Sequence, residues 1–462
     1  MERIKQLASQ FTGAHSARAR LEAQSPDDVV ITMAIRSPMC KAKKGGFKDT
    51  RSDELMTSMF KAAVANCKIN PVLIQDICVG TVLPPRAPYE ARAAALAAGI
   101  PDTTPLQTIN RFCSSGLMAV TEISNQIRVG QIEIGLAIGV ESMTVNSDRG
   151  LQFSEDIMAH PVAKDTAMPM GWTSENVAEE FNISREQMDE LAALSFQRAS
   201  KAQKEGIFKS EIVPLEAFQV DPSTGQRVKI IVSEDDGIRH GTTQASLSKI
   251  KSAFPQWGGG KTTGGNASQV TDGAAAVLLM SRRKAEELGL KILAKHVATS
   301  VAGLAPRIMG IGPSIAIPMV LERVGITKDD VDLFEINEAF ASMYVYCVRE
   351  LGLDINKVNV HGGAIALGHP LGATGARQIA TGLNALAHKG GKVTIISSSL
   401  MLVHIPFTDP RDKHVHRIWY GCRCSLCTGI KVVGSSDKTM GQIRGNLHFV
   451  CTCDWNNLVK HF

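Results

Sequence analysis

Twice along this chain, apolar runs of strand length alternate with amphipathic runs of helix length, and a long polar stretch separates the two series. The first series reads as a strand at 29–34, a helix at 52–67, a strand at 75–82, an Ala-rich helix at 89–98, a mostly buried helix at 115–129 and a strand at 132–140. The second reads as a strand at 333–337, a helix after Glu338, a strand at 358–361, a helix after Gly372 and a strand at 392–397. Such alternation specifies an α/β fold around a central, largely buried sheet. Two halves of similar order suggest a duplicated fold, although no internal sequence repeat accompanies it.

Residues 150–262 are more polar, with a long helical pattern at 184–205, and read as an inserted loop domain; the apolar run 273–281 then returns the chain to the first sheet. The expected division is a targeting or flexible leader at 1–28, a first half at 29–149 and 263–290, the insertion at 150–262, a second half at 291–397 and a tail at 398–462. With 462 residues, the chain exceeds one ordinary core. Hydrophobic residues at 44% against 21% charged describe a soluble globular protein rather than a disordered one. The net charge of +5 is too mild to argue for nucleic acid and suits a polyanionic small molecule. No apolar stretch is long enough to span a bilayer. The basic run from Cys40 to Lys44 reads as a solvated loop. The glycines Gly258, Gly259 and Gly260 before Lys261 do not make a phosphate loop, because Pro255 stands where that motif needs glycine.

Three stretches carry chemistry. Cys113 lies in Ile109-Asn110-Arg111-Phe112-Cys113-Ser114-Ser115-Gly116-Leu117, at the start of a helical pattern. Free N–H groups and the positive dipole end there favour a thiolate, which can carry an acyl group as a thioester. Taken alone, a buried structural cysteine is the commoner fate. Asn337 opens Asn337-Glu338-Ala339-Phe340 at a strand end, where an amide can hold a water, donate to an oxyanion or cap a helix. His369 stands among glycines in the run Asn359–Gly375, which let backbone and substrate approach closely. A neutral imidazole there could take the proton of Cys113 and then donate to a developing oxyanion.

Together these motifs closely resemble the thiolase family, above all its peroxisomal 3-ketoacyl-CoA members, from about Val29 to about Lys392. The resemblance implies a duplicated αβαβα layered fold with an inserted loop domain, a homodimer or tetramer, and coenzyme A thioester chemistry in fatty-acid β-oxidation. Coenzyme A enters as a co-substrate, with no permanently bound cofactor and no metal. The resemblance makes Cys113 the acylated nucleophile, His369 its activator and Asn337 the holder of an oxyanion-hole water. Ser268 and Gly265, in Thr263-Gly264-Gly265-Asn266-Ala267-Ser268, match the pantetheine-contacting loop; Ala339 is a further contact, and Met170 and Met309 match the substrate channel.

The family also has a second acid/base cysteine in a C-terminal Cys-x-Gly motif. At the expected place this chain reads Ser398-Ser399-Leu400-Met401-Leu402-Val403-His404. Residues 413–430 suggest a reason. One synonymous codon choice for them, read one base forward, encodes Ser-Met-Cys-Ile-Gly-Ser-Gly-Met-Gly-Ala-Ala-Ala-Leu-Phe-Val-Arg-Glu and then a stop, which resembles a thiolase C-terminus. The expectation is that residues from about Ser398 onward are a retained intron plus an out-of-frame exon, which leaves the last core segment of the second half missing. Cys422, Cys424, Cys427, Cys451 and Cys453 then have accidental spacing rather than zinc-site spacing. Acylation of Cys113 would persist while turnover suffers. The alternatives are a catalytically impaired acyl-CoA-binding protein and an acetoacetyl-CoA-forming thiolase.

At the N-terminus, Ile4, Leu7, Ala8 and Phe11 share a helical face. Arg3, Ile4, Gln10 and Phe11 also fit the N-terminal peroxisomal targeting nonapeptide, which implies an import receptor as partner and the peroxisome as location.

Overall fold

The computed structural model describes residues 17–146, 153–257, 259–398 and 400–406. Its strands, in chain order, are β1 (Val29–Arg36), β2 (Cys40–Lys41), β3 (Asp76–Gly80), β4 (Leu106–Ile109), β5 (Ile134–Ser142), β6 (Leu215–Val220), β7 (Arg227–Val232), β8 (Thr271–Ser281), β9 (Ala294–Val301), β10 (Leu333–Ile336), β11 (Thr394–Ser397) and β12 (Leu400–Pro406). β6 and β7 form a hairpin of their own. The other ten share one sheet in the order β10-β11-β12-β9-β1-β8-β5-β3-β4, with β2 attached to β8.

The pairing repeats along this sheet. In the first half β1 runs antiparallel to β8, β8 antiparallel to β5, β5 parallel to β3 and β3 parallel to β4. In the second half β9 runs antiparallel to β12, β12 antiparallel to β11 and β11 parallel to β10. β10 then meets the chain again in one parallel bridge, Phe334 to Val358. The halves join where β1 and β9 pair.

Each half places one long helix at the same point of this plan: Ser115–Arg128 before β5 and Leu371–Lys389 before β11. Leu117, Val120, Ala376 and Ile379 of these helices share a buried cluster with Val277, Leu279 and Ile396 of the strands. On the opposite face of the first half, Met56, Met59 and Phe60 of the helix Ser52–Asn66 pack against Ile77, Ile138 and Leu278. On that face of the second half, Ala316, Ile317 and Val320 of the helix Gly312–Val324 pack against Phe334 and Ile395. The result is the layered αβαβα arrangement.

Three expectations change. The strand at 358–361 shrinks to a bridge because Asn359 (φ 45) and Gly362 (φ 82) turn the chain. The Asn359 side chain takes over the lost pairing: its Oδ1 accepts from Ile336 N and its Nδ2 donates to Ile336 O, each at 2.8 Å. The leader is not uniformly flexible, since Ala17–Glu22 is helical, with Arg18 bonded to Asp332 and Leu21 buried beside Ile317 and Phe334. The second half also does not lack its last strand. β12 pairs with β9 and β11 as β8 pairs with β1 and β5. Residues 407–462 and the N-terminal nonapeptide, with their cysteines and targeting pattern, lie outside the described residues.

The insertion is fastened to β1 by a buried ion cluster. Arg36 Nε donates to Glu211 at 2.6 Å, and its two terminal nitrogens donate to Asp235 at 2.7 and 2.9 Å.

Candidate active site

The two central helices meet at their N-terminal turns. A Cβ added to Gly116 would lie 2.5 Å from Gly372 O, and one added to Gly375 would lie 2.4 Å from Leu117 N. Only glycine allows that approach. Cys113 stands three residues before Gly116 and His369 three before Gly372, so the duplication brings the segments that carry them to one helix junction.

Cys113 follows a strained turn. Phe112 is left-handed (φ 48) and 68% exposed, a conformation that costs a bulky residue about 1–3 kcal/mol. Ser115 clamps the turn: its Oγ accepts from Arg111 N at 2.9 Å and donates to Phe112 O at 2.6 Å. The helix begins at Ser115, so the thiol lies just ahead of it. Two influences oppose the thiolate expected from that position. Burial pushes Cys113 up to about 12, and the nearby charge of Glu141 adds to this. Burial exceeds a helix end whose N–H groups Cys113 precedes rather than faces.

His369 is buried, with a polar contact at each ring nitrogen. Nδ1 shares a hydrogen bond with Thr374 Oγ1 at 2.6 Å, and Asn337 Nδ2 lies 3.4 Å from Nε2. Burial, with the Arg377 charge, pushes His369 down to about 3, so the ring is a neutral base. Asn337 is held by its own N–H on Ser397 O at 2.8 Å. Its Oδ1 is buried without a partner, which suits an amide that orients a water. Ser398 Oγ donates to Cys113 O at 3.1 Å, so the end of β11 touches both the Asn337 and the Cys113 segments.

Two acids that the sequence reading left without a role hold these loops. Glu338 is fully buried and accepts from Ser195 Oγ (2.6 Å), Asn359 Nδ2 (2.7 Å) and Ile365 N (3.1 Å), tying the Asn337 loop to the segment that leads to His369. Burial raises its carboxyl. Glu141 accepts from Val82 N, Leu83 N and Gly372 N at 3.0–3.1 Å, joining the loop after β3 to the His369 helix. Burial raises it to about 7. The available signal was an acid inside an otherwise apolar or glycine-rich run.

The other expected site residues fall in two groups. Ser268 and Ala339 join this cluster, with Ser268 N donating to Ala339 O at 3.0 Å. Gly265 packs against the insertion, where a Cβ would meet Ile250 and Leu247. Met170 begins the helix Met170–Glu180 and Met309 lies in the turn Pro306–Ile311; Asn176 Nδ2 links helix and turn by donating to Arg307 O at 3.0 Å. Ser174 Oγ ties this wall to Thr262 and Ser342, each at 2.8 Å, just beyond the Asn337 loop. A Cys-x-Gly triplet does stand farther along the chain, at Cys427-Thr428-Gly429, outside the described residues. None stands where β11 ends.

Comparison with known proteins gives the same outline. Residues 29–283 match the family described as thiolase, N-terminal domain, and residues 290–400 the thiolase, C-terminal domain. The peroxisomal 3-ketoacyl-CoA thiolase B of Rattus norvegicus is 48% identical over 402 residues, covering 84% of this chain and 94% of the rat protein. The peroxisomal 3-ketoacyl-CoA thiolase 1 of Arabidopsis thaliana is 50% identical over 371 residues, covering 79% and 83%. Among solved structures, the dimeric peroxisomal thiolase of Saccharomyces cerevisiae superposes with a TM-score of 0.78 at 44% identity, covering 84% of this chain and all of that one. Human mitochondrial 3-ketoacyl-CoA thiolase in complex with CoA gives 0.72 at 35%, covering 83% and 98%.

Proposed function

This chain belongs to the thiolase family, and from that premise we propose that it is an acetyl-CoA C-acyltransferase whose substrate is a 3-ketoacyl-CoA. Cys113 is the nucleophile. Its proton passes to Nε2 of His369 as the sulfur attacks the 3-keto carbon, and the carbonyl electrons move onto oxygen. The new Nε2–H and a water held by Asn337 Oδ1 stabilise that oxyanion. When the carbonyl re-forms, the C2–C3 bond breaks and its electron pair leaves as the enolate of acetyl-CoA, which takes up a proton. The shortened acyl group remains on sulfur until the thiol of a second coenzyme A removes it and returns a proton to Cys113. The observation that carries this reading is the pairing at the helix junction: Asn337 Nδ2 lies 3.4 Å from Nε2 of His369, and Ser398, next to the Ser397 carbonyl that holds Asn337, bonds Cys113 O.

Coenzyme A approaches along Ser268, Gly265 and Ala339, with Met170 and Met309 against the acyl chain. The functional unit is a homodimer; the edge strand β4 and the exposed Phe112 beside Cys113 support a partner at that end. The Arg3-Ile4-x5-Gln10-Phe11 pattern directs the chain to the peroxisome through an import receptor.

The chain departs from this scheme at one step. The enolate needs a proton donor, and Ser398 stands at the end of β11 where the family resemblance leads one to look for cysteine. Residues from about Ser398 onward are, on this reading, a retained intron and an out-of-frame exon. The chain as written therefore acylates and turns over slowly, and in that state it is an acyl-CoA-binding protein. The test is mass spectrometry after incubation with a 3-ketoacyl-CoA. An acyl adduct on the Cys113 peptide, absent from Cys113→Ala, is the expected result; binding without any adduct overturns the nucleophile assignment.

A further inference from the structure

We propose that the junction of the insertion and the second half carries a binding site for a phosphate ester of a small organic molecule. It lies in a cavity between the helix Arg185–Lys204, the C-terminal end of the helix Leu371–Lys389 and the segment 356–361. The cavity holds about 430 Å³, within the range of small-molecule sites and larger than free phosphate requires. Its lining is unbalanced in charge: Arg198, Lys201 and Lys389 stand against Glu205 alone, with His361 and His388 beside them. Arg198 is fixed, donating to Val358 O at 2.6 Å and Ile355 O at 3.0 Å. Lys201 reaches Glu205 only at 3.9 Å, and Lys389 makes no ion pair among the described residues. Ala202, Ile207 and Val360 give the cavity an apolar wall that an inorganic anion has no use for.

His361 supplies an independent pointer. Its side chain is buried, the residue being 7% exposed, and Nε2 is buried without a hydrogen-bond partner. A buried polar atom left unpaired calls for a partner. The ring stands edge-on to His388, with centroids 6.2 Å apart. Burial and the charges of His388, Lys389, Arg198 and Lys201 press His361 down to about 4, so the ring is neutral in the empty cavity. A bound dianion reverses the sign of that local field. It neutralises the lysines and raises the proton affinity of the ring. Among the described residues lining the cavity, Glu205 is the one charged group that opposes this. The site is separate from the Cys113 cluster and does not depend on the activity proposed there.

Calorimetric titration of the full chain with ADP and with inorganic phosphate tests the proposal. Saturable ADP binding is expected, weakened about tenfold or more by Lys389→Glu combined with Lys201→Glu. Both lysines are exposed, so the variant folds, and Cys113 acylation stays unchanged in it. On saturation, the NMR signal of His361, assigned by its loss in His361→Gln, should move toward the protonated position. Phosphate binding as tightly as ADP would support the anion site but assign it to the free ion. No saturable binding of either probe overturns the proposal, as does binding indifferent to both charge reversals. Neither result touches the reading of Cys113.

Discussion

The two halves of this molecule follow one plan, and the comparison shows how a duplicated fold builds an asymmetric site. Each half sends a long helix into the middle layer, and each helix is preceded by a reactive side chain, Cys113 in one and His369 in the other. The first half is complete: β4 is a full strand and β8 is buried along its whole length. In the second half the counterpart of β4 is a single bridge at Val358, and the segment freed from pairing becomes the loop of Asn359, Gly362 and Gly363 that delivers His369. The counterpart of β8 is β12, which begins where the match to the thiolase C-terminal domain ends, at residue 400. A strand position in an antiparallel sheet asks for backbone donors and acceptors with modest side-chain specificity. That is why a segment beyond the family match can fill it.

The largest expected effect comes from restoring the second half. A chain in which the peptide Ser-Met-Cys-Ile-Gly-Ser-Gly-Met-Gly-Ala-Ala-Ala-Leu-Phe-Val-Arg-Glu follows Ile396 in place of residues 397–462 regains a cysteine acid and a glycine N–H donor. Steady-state thiolysis should rise about ten-thousandfold, since a positioned acid and an oxyanion donor are each worth roughly a hundredfold. Turnover that does not change, with Cys113 acylation intact in both chains, would break the idea that the halves differ by a missing acid. Sequencing the transcript is the complementary check: a mature messenger that encodes residues 398–462 without interruption removes the splicing account.

The next effect separates sulfur from imidazole. With Cys113 at about 12 and His369 at about 3, both groups are neutral across the ordinary pH range. The sign follows directly. Thiolate is scarce and grows about tenfold per pH unit below 12, so alkylation of Cys113 by iodoacetamide should rise steadily from pH 6 to 9. Acylation by a 3-ketoacyl-CoA, in which Nε2 takes the proton internally, should be flat over the same range. His369→Gln should slow acylation about a hundredfold and give it the rising profile of alkylation. Parallel pH profiles in the unmodified chain would show that the ring is no base.

Much of this was legible in the residues. The order of strands and helices, the layered fold and the placing of Asn337 beside His369 follow from runs whose period and punctuation are local. What was hidden depends on contacts across long sequence separations. Nothing local says that Asn359 will bond Ile336 in place of a strand, that Glu338 will gather Ser195 and Ile365, or that burial will outweigh a helix end at Cys113. The leader was misread for the same reason, because the partners of Arg18 and Leu21 lie in the second half.

A third effect, of middle size, tests the junction itself. Gly116→Ala drives a methyl against Gly372 O, and Gly375→Ala drives one against Leu117 N. Each should cost about 1–2 kcal/mol in denaturant unfolding, the overpacking penalty less the helix-propensity gain of alanine. Because both press on the same contact, the double variant should lose less than the sum. Full additivity would mean that the helices are not coupled there.

The smallest effect asks whether the leader braces one half against the other. Arg18, which precedes the first half, donates to Asp332 at 2.9 Å and to Asp330 O at 3.2 Å, just before β10. Burial pushes the Asp332 carboxyl up, but the amides of Lys392 and Val393, together with Arg18, hold it below its ordinary value. Its stabilising share is therefore present at neutral pH and lost in acid, as the pH falls through that lowered value. Both side chains remain about a third exposed, at 32% and 28%, so water and salt screen the pair. Arg18→Ala should cost no more than about 0.5 kcal/mol, with the difference shrinking as salt is added. The backbone donors to Asp332 stay in place in the variant, which confines the loss to the brace. A loss of several kcal/mol would instead make the leader an integral part of the second half's core, with Leu21 rather than Arg18 as its anchor.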